Sequence, residues 1–334
     1  MEYKRLGRTG VKVSSLCFGT MSFGGDADEA TSAAMFKRCR DAGINFFDCA
    51  NTYQKGRSEE ILGKLIAGSR DEIVITSKAY FPMGADVNAR GAHRRHLMQA
   101  IEGSLRRLNV ETIDVYFIHR FDDTTPLEET LRALDDMVSQ GKILYPAASN
   151  FAAWQVAKAL GISALHDWAR FEVLQPMYNL VKRQAEVEIL PMADSEGLGV
   201  ISYSPLGGGL LTGKYGVDRK PEDGRLITNA MYQKRYGDEW IYRTAEDFTA
   251  FAQQHGYHPV SLAVAWVGSH PGVTAPIIGA RNVDQLEDSL GALEIDMTPE
   301  LRQAVSALSV EPPPATDRSE ERSGDMFSAM LTQK

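Results

Sequence analysis

The chain contains 334 residues, of which 43% are hydrophobic and 24% are charged. This composition is typical of a globular protein with a sizeable core, and it excludes the disordered and fibrous classes. The formal net charge of −8 would repel a nucleic acid backbone. The amino terminus is charged, and no stretch approaches the roughly 18 apolar residues of a membrane-spanning helix. We therefore expect a cytoplasmic protein that binds neither nucleic acid nor membrane.

Short apolar runs recur along the chain and predict eight strands that are buried on both faces. In chain order the predicted strands are 15–18, 45–48, 73–77, 113–118, 144–148, 171–174, 200–204 and 276–278. Segments with the apolar spacing of amphipathic helices, such as 97–108, alternate with these strands. For the helix after the fourth strand, Thr125 is the expected N-cap, with Pro126 at the first position and Glu128 completing a capping box.

Eight alternating β and α units without an internal linker predict an α/β fold, a (β/α)8 TIM barrel with a short N-terminal β-hairpin. We expect one barrel domain over residues 1–310 and a mobile tail over residues 311–334, where proline and charge dominate. Segment 326–329 within the tail is a candidate for docking. The loops 79–91 and 215–242 are long enough to act as lids over an active site.

Four residues suited to proton transfer follow predicted strands at one end of this barrel. Asp48 ends the second strand, Lys78 and His119 come directly after the third and fourth, and Tyr53 lies five residues beyond Asp48. An ammonium group favours phenolate, so Lys78 is expected to lower the pKa of Tyr53. Asp48 would keep a buried lysine charged, and His119 would orient a substrate oxygen. Each residue alone has an ordinary structural explanation, whereas their convergence predicts a catalytic site.

Seven motifs, in order, resemble those of the aldo-keto reductases, near the potassium-channel β-subunit-like branch. They are DCANTYQKGRSEEILG, ITSKA, DVYFIHRFD, AASN, LQPMYNL, SYSPLGGGLLTGKY and PIIGARNVDQLEDSL, and the resemblance covers about residues 3–290. It implies a barrel that reduces aldehydes or ketones to alcohols with a nicotinamide cofactor, usually NADPH and less often NADH, and without a metal. It also implies that Tyr53 is the general acid, that Lys78 and Asp48 tune it, and that His119 orients the carbonyl group.

The resemblance also assigns cofactor contacts. Tyr203 would stack on the nicotinamide, and Ser149, Asn150 and Gln175 would hold its carboxamide. The complete set of expected cofactor contacts is Gly19, Thr20, Met21, Asp48, Ser149, Asn150, Gln175, Tyr203, Ser204, Pro205, Leu206, Gly208, Lys214, Ile278, Gly279, Ala280, Arg281, Gln285 and Asp288.

The expected preference for NADPH depends on the motif GARNVDQLEDS. Asn282 followed by Gln285 is typical of a helix start, whose free N–H groups attract anions. Arg281 beside it is suited to the 2′-phosphate that distinguishes NADPH from NADH. The channel-β-like branch usually has serine in place of Arg281, and Glu and Asn in place of Asp288 and Ser289, so the adenine contacts differ from that pattern.

The segment SPLGGGLLTGKY, residues 204–215, approaches a nucleotide-binding P-loop without completing it. Tyr215 stands where a P-loop has the Ser or Thr that binds Mg²⁺. The glycines would still let backbone N–H groups approach the pyrophosphate of the cofactor, with Lys214 supplying positive charge. A purely structural turn is the alternative.

Other patterns have competing interpretations. Tyr178 and Lys182 have the Y-x-x-x-K spacing of short-chain dehydrogenases, a fold in which the seven ordered motifs have no place. His93 and His96 lack the partners of a metal site, and three cysteines without a C-x-x-C pair indicate neither a disulfide framework nor a zinc site. A regulatory or redox-sensing protein that binds NADPH on the same barrel, with incidental turnover, is the alternative to an enzyme.

Aromatic side chains are candidates for an apolar wall around a small carbonyl substrate. They are Phe23, Phe81, Phe121 and Trp240. In the fifth strand, Tyr145 and Pro146 replace more usual residues, and the proline predicts a local bulge. The sequence leaves the substrate and the oligomeric state open.

Overall fold

The computed structural model describes residues 1–317. Within this range the strands are β1 (Tyr3–Arg5), β2 (Lys12–Ser14), β3 (Cys17–Gly19), β4 (Phe46–Asp48), β5 (Val74–Ala79), β6 (Ile113–Ile118), β7 (Ile143–Ser149), β8 (Val173–Gln175), β9 (Gly199–Ser202) and β10 (Ala275–Ile278). The helices are α1 (Glu29–Asp41), α2 (Arg57–Ile66), α3 (Arg94–Leu108), α4 (Leu127–Ser139), α5 (Ala153–His166), α6 (Ile189–Ser195), α7 (Arg225–Thr228), α8 (Ala230–Arg235), α9 (Glu239–Gln254), α10 (Pro259–Gly268), α11 (Val283–Leu290) and α12 (Pro299–Ser306).

Strands β3 to β10 form a closed parallel barrel in chain order, and β10 pairs with both β9 and β3. Helices connect the successive strands, so the predicted (β/α)8 barrel is confirmed. The predicted N-terminal hairpin is also present, with Lys4 of β1 opposite Val13 of β2. Residues 311–317 contain neither helix nor strand, and the candidate docking segment 326–329 lies outside the described residues.

The barrel strands are apolar on both faces because successive side chains alternate between the interior and the surrounding helices. Phe46, Phe117 and Val173 belong to a compact cluster inside the barrel. Their sequence neighbours Phe47 and Tyr116 point outward and belong to the larger cluster formed with the helices. This double burial explains the near-continuous apolar runs of the strand sequences.

The hairpin closes the amino-terminal end of the barrel. Leu6 and Val13 are fully buried and belong to the interior cluster. Gly7 has a φ of +57° and lies so close to the backbone of Gly199 that a side chain has no room. The opposite end, where the strands finish, is therefore the open mouth, the end at which barrel enzymes place their active sites.

Two local predictions are wrong. The register between β6 and β7 runs unbroken through Tyr116 opposite Pro146, so the proline causes no bulge. The proline lacks only its own N–H, and its carbonyl still accepts a bond from the Glu172 backbone N–H at 2.9 Å. Helix α4 begins one residue later than expected, because the Thr125 hydroxyl donates to the Asp122 carboxylate at 2.8 Å instead of capping the helix.

The connections after β5 and β9 differ in structure. Residues 80–93, after β5, contain no helix or strand. The segment after β9, predicted as one loop to residue 242, instead holds the short helices α7 and α8, and α9 already begins at Glu239. Across residues 1–317, none of the helices combines the length and apolar character that crossing a membrane requires.

Candidate active site

Three consecutive barrel strands bring a carboxylate, an ammonium and an imidazole to the open mouth. Asp48 is the last residue of β4, Lys78 lies one residue before the end of β5, and His119 directly follows β6. Tyr53 reaches the same place from the short 3-10 turn Tyr53–Gly56 between β4 and α2. The structure thus brings together the four residues that the sequence predicts to act in catalysis.

Lys78 and Asp48 form a buried ion pair. The lysine Nζ lies 2.7 Å from both carboxylate oxygens and donates to the Cys49 carbonyl at the same distance. The Thr76 hydroxyl and the Gln175 amide donate to Asp48 Oδ1 at 2.6 and 2.8 Å. Burial is the largest single influence and by itself would lower the pKa of Lys78. The negative charge of Asp48 and its hydrogen bonds to the ammonium, together with the nearby Tyr53 and Cys49, outweigh burial and raise that pKa above its ordinary value. Lys78 therefore stays positively charged at neutral pH, as predicted.

The Tyr53 hydroxyl lies 3.4 Å from Lys78 Nζ, and the ammonium is 5.0 Å from the centre of the tyrosine ring. Burial raises the pKa of Tyr53 to about 12, although the charge of Lys78 acts in the opposite direction. Lys78 thus acts in the predicted direction, but in the resting site its effect on the pKa of Tyr53 is smaller than the opposing effects. Loss of phenolate solvation, together with the negative charge of Asp48, outweighs the ammonium. Tyr53 is protonated at neutral pH.

His119 is neutral. Burial and the nearby charge of Lys78 lower the pKa of His119 to about 3. Its Nδ1 is buried and has no hydrogen-bond partner among the described residues. The imidazole packs edge-on against Phe81, with ring centres 4.9 Å apart, and 6.1 Å from the ring of Tyr53. It can donate one hydrogen bond to a substrate oxygen but brings no positive charge.

The residues expected to hold a carboxamide form one hydrogen-bonded chain beside Asp48. Gln175 Nε2 donates to Asp48, the Ser149 hydroxyl donates to the main-chain carbonyl of Gln175 at 3.0 Å, and Asn150 Nδ2 donates to Ser149 Oγ at 3.0 Å. The Tyr203 hydroxyl completes the chain by donating to Asn150 Oδ1 at 2.7 Å. These amide and hydroxyl groups offer the donors and acceptors that a carboxamide requires.

The glycine-rich turn after β9 exposes backbone on one side only. Gly207, Gly208 and Gly209 all have positive φ. A Cβ atom at Gly208 would lie 2.7 Å from the ring of Tyr232. At Gly209, apart from the adjoining residues of the chain, no atom of residues 1–317 would lie within 4 Å of an added Cβ. The open backbone at Gly209 and the exposed side chain of Lys214 fit an approaching phosphate group.

The segment after β10 combines a helix start with a cation. Asn282 Oδ1 accepts from the Gln285 N–H at 3.0 Å, which confirms the predicted cap, and Gln285 Oε1 accepts from the Arg281 N–H at 3.1 Å. Arg281 Nε lies 3.1 Å from Asp26 Oδ2, in a pair that is about half exposed. The arrangement fits an anionic ligand, which would compete with Asp26 for Arg281. Asp288 lies about one turn further along α11.

The first β–α loop faces this segment. The Thr20 hydroxyl is buried and donates to the Asp48 carbonyl at 3.0 Å, whereas Met21 is exposed. An added Cβ at Gly279 would lie 4.0 Å from the carbonyl oxygen of Gly19. Of the remaining expected contacts, Ser204, Pro205 and Leu206 lie before the glycine turn. Ile278 is the last residue of β10, and Ala280 lies two residues beyond it.

The four aromatic candidates for a substrate wall have different environments. Phe81 is half-buried beside His119. Phe121 is also half-buried, and its ring centre lies 6.1 Å from that of Trp154, which is 62% exposed and is not among the residues predicted from the sequence. Phe23 requires a correction, because it is fully buried and packs in the helix-side cluster. Trp240 lies in the first turn of α9 rather than in a loop, and is 37% exposed.

The competing patterns do not form sites. The Tyr178 hydroxyl is bonded to Glu186 at 2.6 Å, whereas the Lys182 ammonium lies over the ring of a different tyrosine, so they are not a dehydrogenase pair. His93 Nδ1 accepts from the His96 N–H at 3.2 Å and caps α3. Residues 1–317 contain no group of three or more His, Cys, Asp or Glu side chains that is arranged to hold a metal.

Two polar residues that support the site were missed from the sequence. Thr76 binds Asp48 and stands two residues before Lys78, so strand alternation places both on the same face, a signal that was available. Glu59 is fully buried and bonded to Ser77 and Arg107. The helical spacing of α2 gives no sign of this, because both partners come from other elements.

Comparison with known proteins shows the family to which the chain belongs. A family description reading "Aldo/keto reductase family" matches residues 15–309. The chain is 35% identical over 327 residues to a "Probable voltage-gated potassium channel subunit beta" from Oryza sativa subsp. japonica. The similarity covers 95% of this chain and 99% of that protein. It is 38% identical over 316 residues to the "Uncharacterized oxidoreductase YrpG" from Bacillus subtilis (strain 168), with coverage of 90% and 94%.

A third relative carries a reductase name. The chain is 31% identical over 329 residues to the "Versiconal hemiacetal acetate reductase" of Aspergillus parasiticus, covering 90% of this chain and 94% of that protein. The family match and the similarity to these relatives both extend over nearly the whole barrel. The chain therefore belongs to the aldo/keto reductase family, whose members are oxidoreductases that act on small molecules and typically use nicotinamide cofactors.

Proposed function

We propose that the protein reduces small aldehydes or ketones to alcohols with NADPH, and that Tyr53 is the proton donor. The observation that carries the proposal is the position of the Tyr53 hydroxyl, 3.4 Å from an ammonium group that Asp48 holds at the barrel mouth. A phenol that is protonated at neutral pH, beside a fixed positive charge, is suited to general acid catalysis.

Proton transfer would use the charge of Lys78 late in the reaction. When a carbonyl carbon accepts hydride, its oxygen becomes an alkoxide, which is more basic than a phenolate and takes the proton of Tyr53. The phenolate that results lies beside Lys78, whose charge is stabilised by Asp48. Lys78 thus stabilises the product of proton transfer, and this role is compatible with a pKa of about 12 for Tyr53 in the resting site.

His119 would orient the substrate. Its ring lies beside that of Tyr53, so a carbonyl oxygen between the two can accept one hydrogen bond from each. Because the imidazole is neutral, it would not compete with Tyr53 as a proton source. Phe81 packs against the same imidazole and offers an apolar surface to the rest of the substrate.

The site fits a nicotinamide dinucleotide. When bound, NADPH supplies the hydride. The hydrogen-bonded chain from Gln175 to Tyr203 would hold the nicotinamide, and the open backbone at Gly209 would face the pyrophosphate. Arg281 beside the α11 N-terminus favours NADPH over NADH, because a guanidinium group pairs with a 2′-phosphate and NADH has none.

The names of the relatives support two candidate functions. The Bacillus and Aspergillus relatives are named as an oxidoreductase and a reductase, which supports the enzyme. The rice relative is named as a probable channel subunit, which supports an NADPH-binding regulatory or redox-sensing protein with incidental turnover as the alternative. The complete set of four proton-handling residues favours the enzyme.

One experiment separates these candidates. The purified protein would be mixed with NADPH or NADH and with aromatic aldehydes, short aliphatic aldehydes, dicarbonyls and quinones, while loss of the reduced nicotinamide is followed. Turnover that is faster with NADPH supports the reductase. NADPH binding, seen by fluorescence, without turnover of any compound would favour the regulatory protein. Absence of both binding and turnover would contradict both candidates.

A further inference from the structure

The turn that carries Tyr53 has an unfavourable backbone conformation. Gln54, Lys55 and Gly56 have φ values of +48°, +55° and +94°, three consecutive residues in the left-handed region. Two of the three have side chains and are penalised in this region. Such a conformation persists only where the surrounding structure holds it. The position of the Tyr53 hydroxyl therefore depends on whatever holds this turn.

A buried ion pair lies directly behind the turn. The Glu59 side chain, in the first turn of α2, is 0% exposed, and its Oε2 accepts from Arg107 Nε of α3 at 2.6 Å. The arm of Arg107 also covers Gly56, where an added Cβ atom would lie 2.6 Å from Arg107 Cδ and 2.8 Å from Nε. The arginine thus neutralises Glu59 and packs on the last residue of the Tyr53 turn.

The same carboxylate reaches the strand that carries the catalytic ammonium. Glu59 Oε1 accepts from the Ser77 hydroxyl at 2.5 Å. Ser77 directly precedes Lys78 on β5, and alternation turns Ser77 toward α2 while Lys78 faces the mouth. Glu59 therefore connects α2, the helix that follows the Tyr53 turn, with β5, the strand that carries Lys78.

We propose that Glu59 and Arg107 are positioning residues, which set the distance between the Tyr53 hydroxyl and the Lys78 ammonium. Neither touches the reacting atoms. Both act through the left-handed turn on one side and through Ser77 on the other. The inference rests on the proposed function, since it assumes that Tyr53 donates the proton.

The test is a double-mutant cycle between Arg107→Met and Tyr53→Phe. We expect Arg107→Met alone to lower kcat on the order of 10²-fold, the usual consequence of misplacing a reacting group by about 1 Å. KM and the Kd for NADPH, measured by fluorescence, should not change. In the Tyr53→Phe background, Arg107→Met should cause no further loss, because the group that it positions is already absent.

Arg70→Met is the matched control. Arg70 pairs with Asp114 at 2.8 Å, and its side chain is 24% exposed, as is that of Arg107, but the pair lies at the opposite end of β6 from His119. This variant should lower the melting temperature without lowering kcat. If Arg107→Met does not fold, Ser77→Ala takes its place, since it keeps the Glu59–Arg107 pair and removes only the bond to β5.

The outcomes are distinguishable. The positioning role would be overturned if Arg107→Met, or Ser77→Ala in its place, leaves kcat unchanged. It would also be overturned if that variant lowers kcat by the same factor with and without the Tyr53 hydroxyl. If Tyr53→Phe alone leaves kcat unchanged, the proposed function itself fails, whatever the result for Arg107.

Discussion

Lys78 and Asp48 are joined by two hydrogen bonds of 2.7 Å, with side-chain exposures of 0% and 3%. Two opposite charges removed from water in this way are stable only together, because each supplies the field that solvent would otherwise supply. The pair is therefore a structural element as well as the source of positive charge for Tyr53.

We expect Asp48→Asn to lower the free energy of unfolding by about 3–5 kcal/mol, because it leaves the Lys78 charge buried without its partner. Chemical denaturation followed by circular dichroism measures this. Asp41→Asn is the control, since Asp41 pairs with Lys37 in the open, at exposures of 53% and 76%, and should leave stability nearly unchanged. Equal free energies of unfolding for Asp48→Asn and the unmodified protein would show that the Lys78 charge does not depend on Asp48 for its stability in the folded protein.

His270 makes stability depend on pH on the acid side. Burial and the charge of Arg302 lower the pKa of His270 to about 4 from an ordinary value of 6.5. Between these values the unfolded chain binds a proton that the folded protein does not, so stability falls as pH falls from about 6.5 to about 4. His270→Gln should flatten this part of the stability profile by less than about 1.4 kcal/mol per pH unit, because solvent screens the partly exposed imidazole. Parallel profiles for the two proteins would contradict the assignment.

Cofactor preference tests the role of Arg281. Arg281→Ala should weaken NADPH binding by about tenfold to a hundredfold, the value of a charge-assisted contact, while the Kd for NADH stays nearly the same. Titration of each nucleotide against protein fluorescence measures both constants. Asp26→Asn is the companion variant, because it frees Arg281 and should tighten NADPH binding slightly. A similar loss of affinity for both nucleotides would remove Arg281 from the 2′-phosphate site.

Two helical glycines predict opposite effects of the same substitution. Gly63 of α2 packs against the Leu108 backbone of α3, and an added methyl group would clash there, so Gly63→Ala should destabilise by about 1–3 kcal/mol. At Gly161 of α5, no atom of residues 1–317 beyond the helix's own backbone would lie within 4 Å of an added methyl group, so Gly161→Ala should stabilise by about 0.5–1 kcal/mol. Thermal melts of both variants measure the two shifts, and shifts of the same sign would contradict this description of α2–α3 packing.

Much of the fold was predictable because parallel strands need apolar residues on both faces, a signal as strong at β6 as anywhere in the chain. The convergence of Asp48, Lys78 and His119 follows from the same rule, since parallel strands end at one mouth. The effect of Pro146 was not predictable, because it depends on pairing that the neighbouring strands preserve. Cytoplasmic location, the single domain over residues 1–310 and the mobile tail stay predictions.

The electrostatics and long-range contacts of the site were beyond the sequence. The direction of the Tyr53 pKa shift depends on how far burial outweighs Lys78, and only the packed mouth determines that. The Glu59–Arg107 pair joins residues 48 positions apart on two helices. Neither residue belongs to a pattern that specifies its partner.

The measurement that tests the central claim most directly is single-turnover reduction by Tyr53→Phe beside the unmodified protein, at equal NADPH saturation. Removal of one hydroxyl should leave NADPH affinity nearly intact and lower the rate about 10² to 10⁴-fold, the usual contribution of a positioned general acid. Unchanged turnover with intact cofactor binding would contradict the assignment of Tyr53 as the proton donor.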